Sequence, residues 1–114
     1  MKWYTPNKWQ YRKNKKRKSS NNEGHPSLVV GKEGTKFANV GITHSPKRGH
    51  HSNIELSRNP NPRDKKKAYL RDDVGLDDER FLKEILKGYQ LADEDIPKVL
   101  KVIEKYKKRI GTRR

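Results

Sequence analysis

Hydrophobic positions fall in two clusters of different period, separated by long polar stretches. In "HPSLVV" the run Leu28, Val29, Val30 is short, partly β-branched and bounded by Pro26 and Gly31, as expected of a buried strand. Pro26 pushes His25 toward an extended backbone. "GKEGTK" then reads as a turn, with Gly31 and Gly34 free to take positive φ. "KFANVGITHS" returns as a second strand through Phe37, Val40 and Ile42; their spacing is not a strict alternation, and Gly41 is the candidate bulge. "SNIELS" predicts a third short strand through Ile54 and Leu56, and "KAYLRDDV" a fourth through Ala68, Leu70 and Val74. Between them "RNPNPRDKKK", with two prolines, two asparagines and no apolar residue, reads as a loop.

After "DDVGLDDE", a turn into a helix, the period lengthens. "RFLKEILK" places Phe81, Leu82, Ile85 and Leu86 at helical spacing and predicts a helix over 80–87 with Gly88 as its stop. In "LADEDIPKVLKVIEKYKKRIG", Ile96, Val99, Leu100, Ile103 and Tyr106 recur at steps of three and four. Asp93, Glu94 and Asp95 crowd the start of this segment and Lys105, Lys107, Lys108 and Arg109 its end, matching the helix macrodipole. Pro97 is tolerated only in a first turn, so the helix is expected to start at Asp93 to Asp95.

Residues 1–24 show no such pattern. Basic residues dominate, among them Lys13, Lys15, Lys16, Arg17 and Lys18, interleaved with Trp3, Tyr4, Trp9 and Tyr11, and the stretch closes on the polar "KSSNNEG". So dense a cationic run offers little apolar surface to offset its ordering entropy, so it reads as a disordered arm. Its aromatics either stack exposed bases or pack on the domain.

Composition sharpens this picture. The 114 residues are 29% hydrophobic and 38% charged, with a net charge of +15, so the core is small and a polyanionic partner is the natural complement. RNA, DNA and an anionic membrane surface all fit that charge, as does plain disorder. Loop cations Lys47, Arg48, Arg58, Arg63, Lys65, Lys66 and Lys67 extend the basic surface beyond the arm. The chain contains no cysteine, which excludes disulfides and thiolate metal sites. No apolar run is long enough to span a bilayer and no apolar core follows the first charges, so a cytoplasmic protein is expected.

Walker A, dinucleotide-binding, H-E-x-x-H and G-x-S-x-G patterns are all missing. Histidines His25, His44, His50 and His51 do not form a metal-ligand pattern, and no metal or cofactor is expected. Asp72, Asp73, Asp77 and Asp78 read as turn and capping residues. A candidate site remains in His25, Thr43 and Ser45, with His44 between the hydroxyls. His25 precedes one predicted strand and "THS" ends the next, so antiparallel pairing would make them neighbours. An imidazole beside hydroxyls on a cationic surface suits phosphodiester chemistry, with His as acid or base and Lys or Arg stabilising the phosphorane. On the plainer reading, Thr43 and Ser45 are strand-end and turn residues and His25 is incidental.

Taken in order, "HPSLVV", "NVGITHS", "NIELS", "KAYLRDDV" and "LKGYQLADEDIPKVLKVIEKY" resemble the MazF/PemK family of endoribonuclease toxins over about residues 24–106. The resemblance implies a small α+β fold, an SH3-like, partly open β-barrel with a C-terminal helix over 25–110, followed by a basic tail. It also implies metal-independent RNA cleavage, an antitoxin partner and a homodimer. Thr43 falls on the family's catalytic threonine or serine, whereas His25 stands where the family carries arginine. The family's opening strand is missing, and the aromatic arm either replaces it irregularly or leaves the barrel incomplete. The competing reading is a non-catalytic nucleic-acid-binding accessory protein of a phage or mobile element.

Overall fold

The computed structural model describes residues 1–18 and 24–111. The polar linker expected at 19–23 and the tail from 112 lie outside them. Among the described residues ten strands run in chain order: β1 (Lys2–Trp3), β2 (Gln10–Lys18), β3 (Gly24–Glu33), β4 (Lys36–Thr43), β5 (Lys47–Arg48), β6 (His51–Ser52), β7 (Ile54–Glu55), β8 (Tyr69–Leu70), β9 (Gly75–Asp78) and β10 (Glu84–Ile85). An α-helix, α1 (Ile96–Gly111), follows a 3-10 turn at Asp93–Asp95, the residues expected to begin it. Eight strands form one antiparallel sheet in the order β10-β2-β3-β4-β8-β7, with β1 added beside β3 and β9 beside β4; β5 and β6 form a separate two-stranded ribbon. The large sheet stays open and does not close into a barrel.

The hairpin β3–β4 is the spine of this sheet. Its turn uses Gly34 at φ 61°, a conformation costly for residues with a Cβ. Gly31, expected in the same turn, instead lies inside β3, where a Cβ would sit 2.7 Å from the Lys2 carbonyl oxygen. Its role is close approach: β1 lies directly against it. The bulge also differs from expectation. Gly41 pairs regularly with Ser27, and the register shifts between Val29 and Gly31, where β1 joins β3.

The arm is the largest correction. Residues 1–18 are built into the sheet, with β2 lying between β10 and β3 and Tyr11 opposite Leu28. Strand propensity in "QYRKNKKRK" is low, but β3 presents a hydrogen-bonding edge and Tyr11 supplies an apolar anchor at 5% exposure. Asn14 is fully buried as well. Its Nδ2 donates to Asn39 Oδ1 (3.2 Å) and to Asp77 Oδ2 (2.9 Å), and Asn39 Nδ2 donates to the same carboxylate (3.0 Å). A buried, partnered polar cluster of this kind fixes register across β2, β4 and β9.

The helix predicted over 80–87 is absent. Glu79–Phe81 form a 3-10 turn capped by the Asp78 side chain, and Glu84 and Ile85 pair with Lys13 and Arg12 as β10. The four apolar residues do not share a face: Leu82 is fully buried while Ile85 is 45% exposed. The open edge of β2 therefore captures a run whose period alone was ambiguous. Similarly, "DDVGLDDE" is not only a turn, because β9 pairs with β4 from Lys36–Asp78 to Asn39–Gly75. Helix α1 buries Val99, Val102 and Ile103, and Leu100, expected on that face, is 42% exposed. These three join Tyr11, Leu28, Val30, Val40, Ile42, Leu56 and Leu70 in one core cluster.

Candidate functional site

His25 and Thr43 lie at the far end of the β3–β4 hairpin from its turn. Their strands are bridged as far as Ser27–Gly41, and both residues line one cavity of about 480 Å³. Pro26, Ile42, Ala68 and Leu86 give the cavity apolar walls; Lys13, His44, Ser45, Asp64 and Tyr89 supply its polar lining. Three sequence-predicted residues, His25, Thr43 and Ser45, thus meet in one place. Lys13, assigned to the arm on charge alone, joins them because β2 pairs with β3 through Lys13 and Pro26. Its ammonium lies 3.5 Å from Glu84 on β10.

Local backbone chemistry sets the mouth of this cavity. Thr43 Oγ1 accepts the Ser45 backbone N–H at 3.2 Å, and the Ser45 carbonyl accepts Asn53 Nδ2 at 2.9 Å. That closes the turn after β4 and leaves the Thr43 hydroxyl proton available to donate. Across the cavity, the loop between β7 and β8 is knitted by its own side chains. Asn59 Nδ2 donates to the Lys66 carbonyl (2.9 Å), the Asn61 N–H to Asn59 Oδ1 (2.9 Å) and the Lys66 N–H to Asp64 Oδ1 (3.0 Å).

That knit aims Asp64 at His44, with Nε2 and Oδ2 2.5 Å apart. The Lys66 backbone N–H foremost, and then His44, hold the Asp64 carboxyl below the usual carboxylate range despite its partial burial. Burial raises the Tyr89 phenol, the Asp64 charge raises it further, and Lys13 opposes both. The His44–Asp64 pair was not foreseen in the sequence, where Asp64 sat in a stretch read only as loop. The available signal was the set Asn59, Asn61 and Asp64, residue types that favour side-chain turns, each here accepting the backbone N–H two residues on.

The remaining predicted contacts divide by position. Tyr11 is a core residue and cannot reach a base. Trp3 packs edge-on against Tyr106 with ring centroids 5.9 Å apart, and Trp9 packs on the core with its Nε1–H donating to the Tyr4 carbonyl at 3.1 Å. Trp3, Trp9 and Tyr11 thus pack on the domain. Lys15 and Lys16 are exposed, Lys16 with its ammonium 5.2 Å from the Phe81 ring centre; Arg17 and Lys18 are described only as strand backbone. Lys47 and Arg48 are exposed on the small ribbon, away from the cavity lining.

Lys65 and Lys66 are exposed on the knitted loop, and Lys67 lies 3.7 Å from Glu55. Arg58, Lys65 and Lys66 border a second hollow of about 560 Å³ that shares Asn59, Asn61 and Asp64 with the first. Among the described residues no three His, Asp or Glu side chains are grouped as a metal ion requires, and no helix is long and apolar enough to cross a membrane. Comparison of the chain with protein-family models, curated proteins and solved structures finds no match.

Proposed function

We propose that this protein binds single-stranded RNA over the cavity mouth and cleaves it with side-chain chemistry. The observation that carries the reading is the convergence of His25, Thr43, Ser45 and Lys13 on one cavity from three different chain segments. His25 serves as a proton donor or acceptor, Thr43 and Ser45 donate hydrogen bonds to a phosphate, and Lys13 offsets charge developing on phosphorus. Strand order supports a link to the MazF/PemK toxins. "HPSLVV" opens the hairpin in β3, "NVGIT" ends it in β4, "NIELS" and "KAYL" supply β7 and β8, and a helix closes the chain. On this reading the open sheet is a relaxed form of the SH3-like barrel, with β1 and β2 in place of the family's first strand. A homodimer and an antitoxin partner belong to the same proposal.

The test is incubation of the purified protein with labelled RNA in the presence of a chelator. Wild-type protein is expected to cut, and His25→Ala and Thr43→Ala to lower the rate by about 100-fold or more. Undiminished cutting by both variants would remove the assignment. A second reading, nucleic-acid binding without cleavage, is favoured by one specific residue: histidine rather than arginine occupies position 25. Binding without any cut product, and without growth arrest on expression, would select it.

A further inference from the structure

Resting on that reading, we infer that His44 is the general base of the cleavage step and that Asp64 orients it, with His25 as the general acid. An RNA-cleaving site without a metal needs one group to take the 2′-hydroxyl proton and another to protonate the departing 5′-oxygen. His25 and His44 both line the cavity, and Lys13 lines it with them. With its Nε2–H donating to the Asp64 carboxylate, the His44 ring keeps the Nδ1 lone pair free to accept a proton. A carboxylate in this position fixes the tautomer and stabilises the imidazolium that forms.

Asp64 is suited to that role because it is itself held. The Lys66 N–H bonds its other oxygen, and its own N–H donates to the Asn61 carbonyl at 3.1 Å. His44 is placed by the end of β4 and the Thr43–Ser45 turn. Base and orienting group therefore come from separate segments, each fixed by its own backbone bonds. The neighbouring ionisable groups lining the cavity are Lys13, His25 and Tyr89.

The step balances as follows. His44 Nδ1 takes the proton of a ribose 2′-hydroxyl, and the 2′-oxygen forms a bond to the adjacent phosphorus. The P–O5′ bond breaks, and the 5′-oxygen takes a proton from the His25 imidazolium. The products are a 2′,3′-cyclic phosphate and a 5′-hydroxyl end, with no oxidant, reductant or co-reactant consumed. Lys13 faces the extra negative charge of the phosphorane.

The experiment measures single-turnover cleavage of an RNA oligonucleotide and, in parallel, binding of a matching oligonucleotide carrying 2′-deoxyribose throughout. His44→Ala is expected to slow cleavage by about 100-fold or more, and added imidazole to restore part of the lost rate. Asp64→Asn, which keeps the shape of the pair, is expected to slow cleavage about tenfold or more by favouring the wrong tautomer. Far-ultraviolet circular dichroism checks that each variant is folded, and imidazole rescue is a signature that a purely structural histidine would not give. If His44→Ala cuts at the wild-type rate while His25→Ala and Thr43→Ala do not, the base assignment is overturned and the cleavage reading stands. If wild-type protein binds RNA and leaves it intact, both fall together.

Discussion

Tyr11 carries a structural tension at the level of a single atom. Its ring lies 5.7 Å from that of Tyr89 and its residue is 5% exposed, yet its hydroxyl has no hydrogen-bond partner among the described residues. Burial pushes the phenol well above its ordinary range, and the nearby Asp95 carboxylate pushes it further. Leaving a hydroxyl buried and unpaired costs about 1–3 kcal/mol in proteins, so Tyr11→Phe is expected to raise stability by about 1 kcal/mol in urea unfolding. The pH profile should change in step. The folded-state value is raised, so the contribution is intact below pH 10.0, where the unfolded phenol keeps its proton, and is lost as pH rises beyond it. Tyr11→Phe should unfold less readily than wild type in that alkaline range. Asp95 shows the opposite sign. Burial works against its charge, but the Ser57 N–H and the Lys98 ammonium, each 2.9 Å away at the nearest, outweigh it and leave the carboxyl below its usual 3.8. Its contribution is full above that value and fades as pH falls through the lower folded-state one. Asp95→Asn should therefore cost about 2 kcal/mol at neutral pH and flatten the acid limb of the stability curve.

The short strands and the bulge depend on contacts between elements rather than on local pattern. β1 consists of two residues, and its place is secured by Gly31 opposite Trp3 and by Trp3 against Tyr106 of α1. Gly31→Ala would drive a Cβ to 2.7 Å from the Lys2 carbonyl oxygen. The expected result is displacement of β1 at a cost of about 1–3 kcal/mol, seen as a red shift in tryptophan emission; an unchanged spectrum and stability would contradict this account. Deleting residues 1–18 should unfold the chain, because it strips β2 and Tyr11 from the middle of the sheet. The same dependence explains what could be read beforehand. β3 was legible from its short apolar run between Pro26 and Gly31, β4 from the apolar residues that return after a glycine turn, and α1 from apolar steps of three and four. That His25 and Thr43 share one end of the hairpin followed from antiparallel pairing alone. β2 was not legible, since Tyr11 is the one apolar residue in its sequence and Asn14, buried along with it, is polar. β10 was not legible either, since Ile85 and Leu86 fit a helix equally well until the edge of β2 claims them. Asp64 entered the cavity through side-chain bonds inside a proline-rich loop, which no hydrophobic period records.

For the molecule as a whole, the question is where a charge of +15 acts. The Cα radius of gyration is 13.4 Å, near the value of about 13 Å expected for a compact chain of this length, so the charge is carried on a folded body rather than on a long free arm. Some of the 29 Lys and Arg side chains are paired locally. Lys105 meets Asp72, Arg109 meets Asp73 at 2.7 Å, and Lys32 meets Glu79 at 3.1 Å. Lys65 and Lys66 differ: they are exposed on the loop that also carries Asp64, beside a hollow that shares Asn59, Asn61 and Asp64 with the cavity. If RNA runs from the cavity across this loop, each lysine contact with a phosphate contributes about 0.7 to the slope of log K against log salt for a single strand. A Lys65→Ala/Lys66→Ala variant should then bind a single-stranded oligonucleotide more weakly and lose about 1.4 from that slope. A Lys105→Ala/Arg109→Ala variant removes the same two charges from a region already paired with Asp72 and Asp73, and it should leave the slope nearly unchanged. Matching the pairs in net charge separates a defined path from a general attraction of a basic surface. Equal losses in the two variants would mean that the charge acts diffusely and that the cavity has no privileged approach; a loss confined to the loop variant would place the strand over His44 and Asp64.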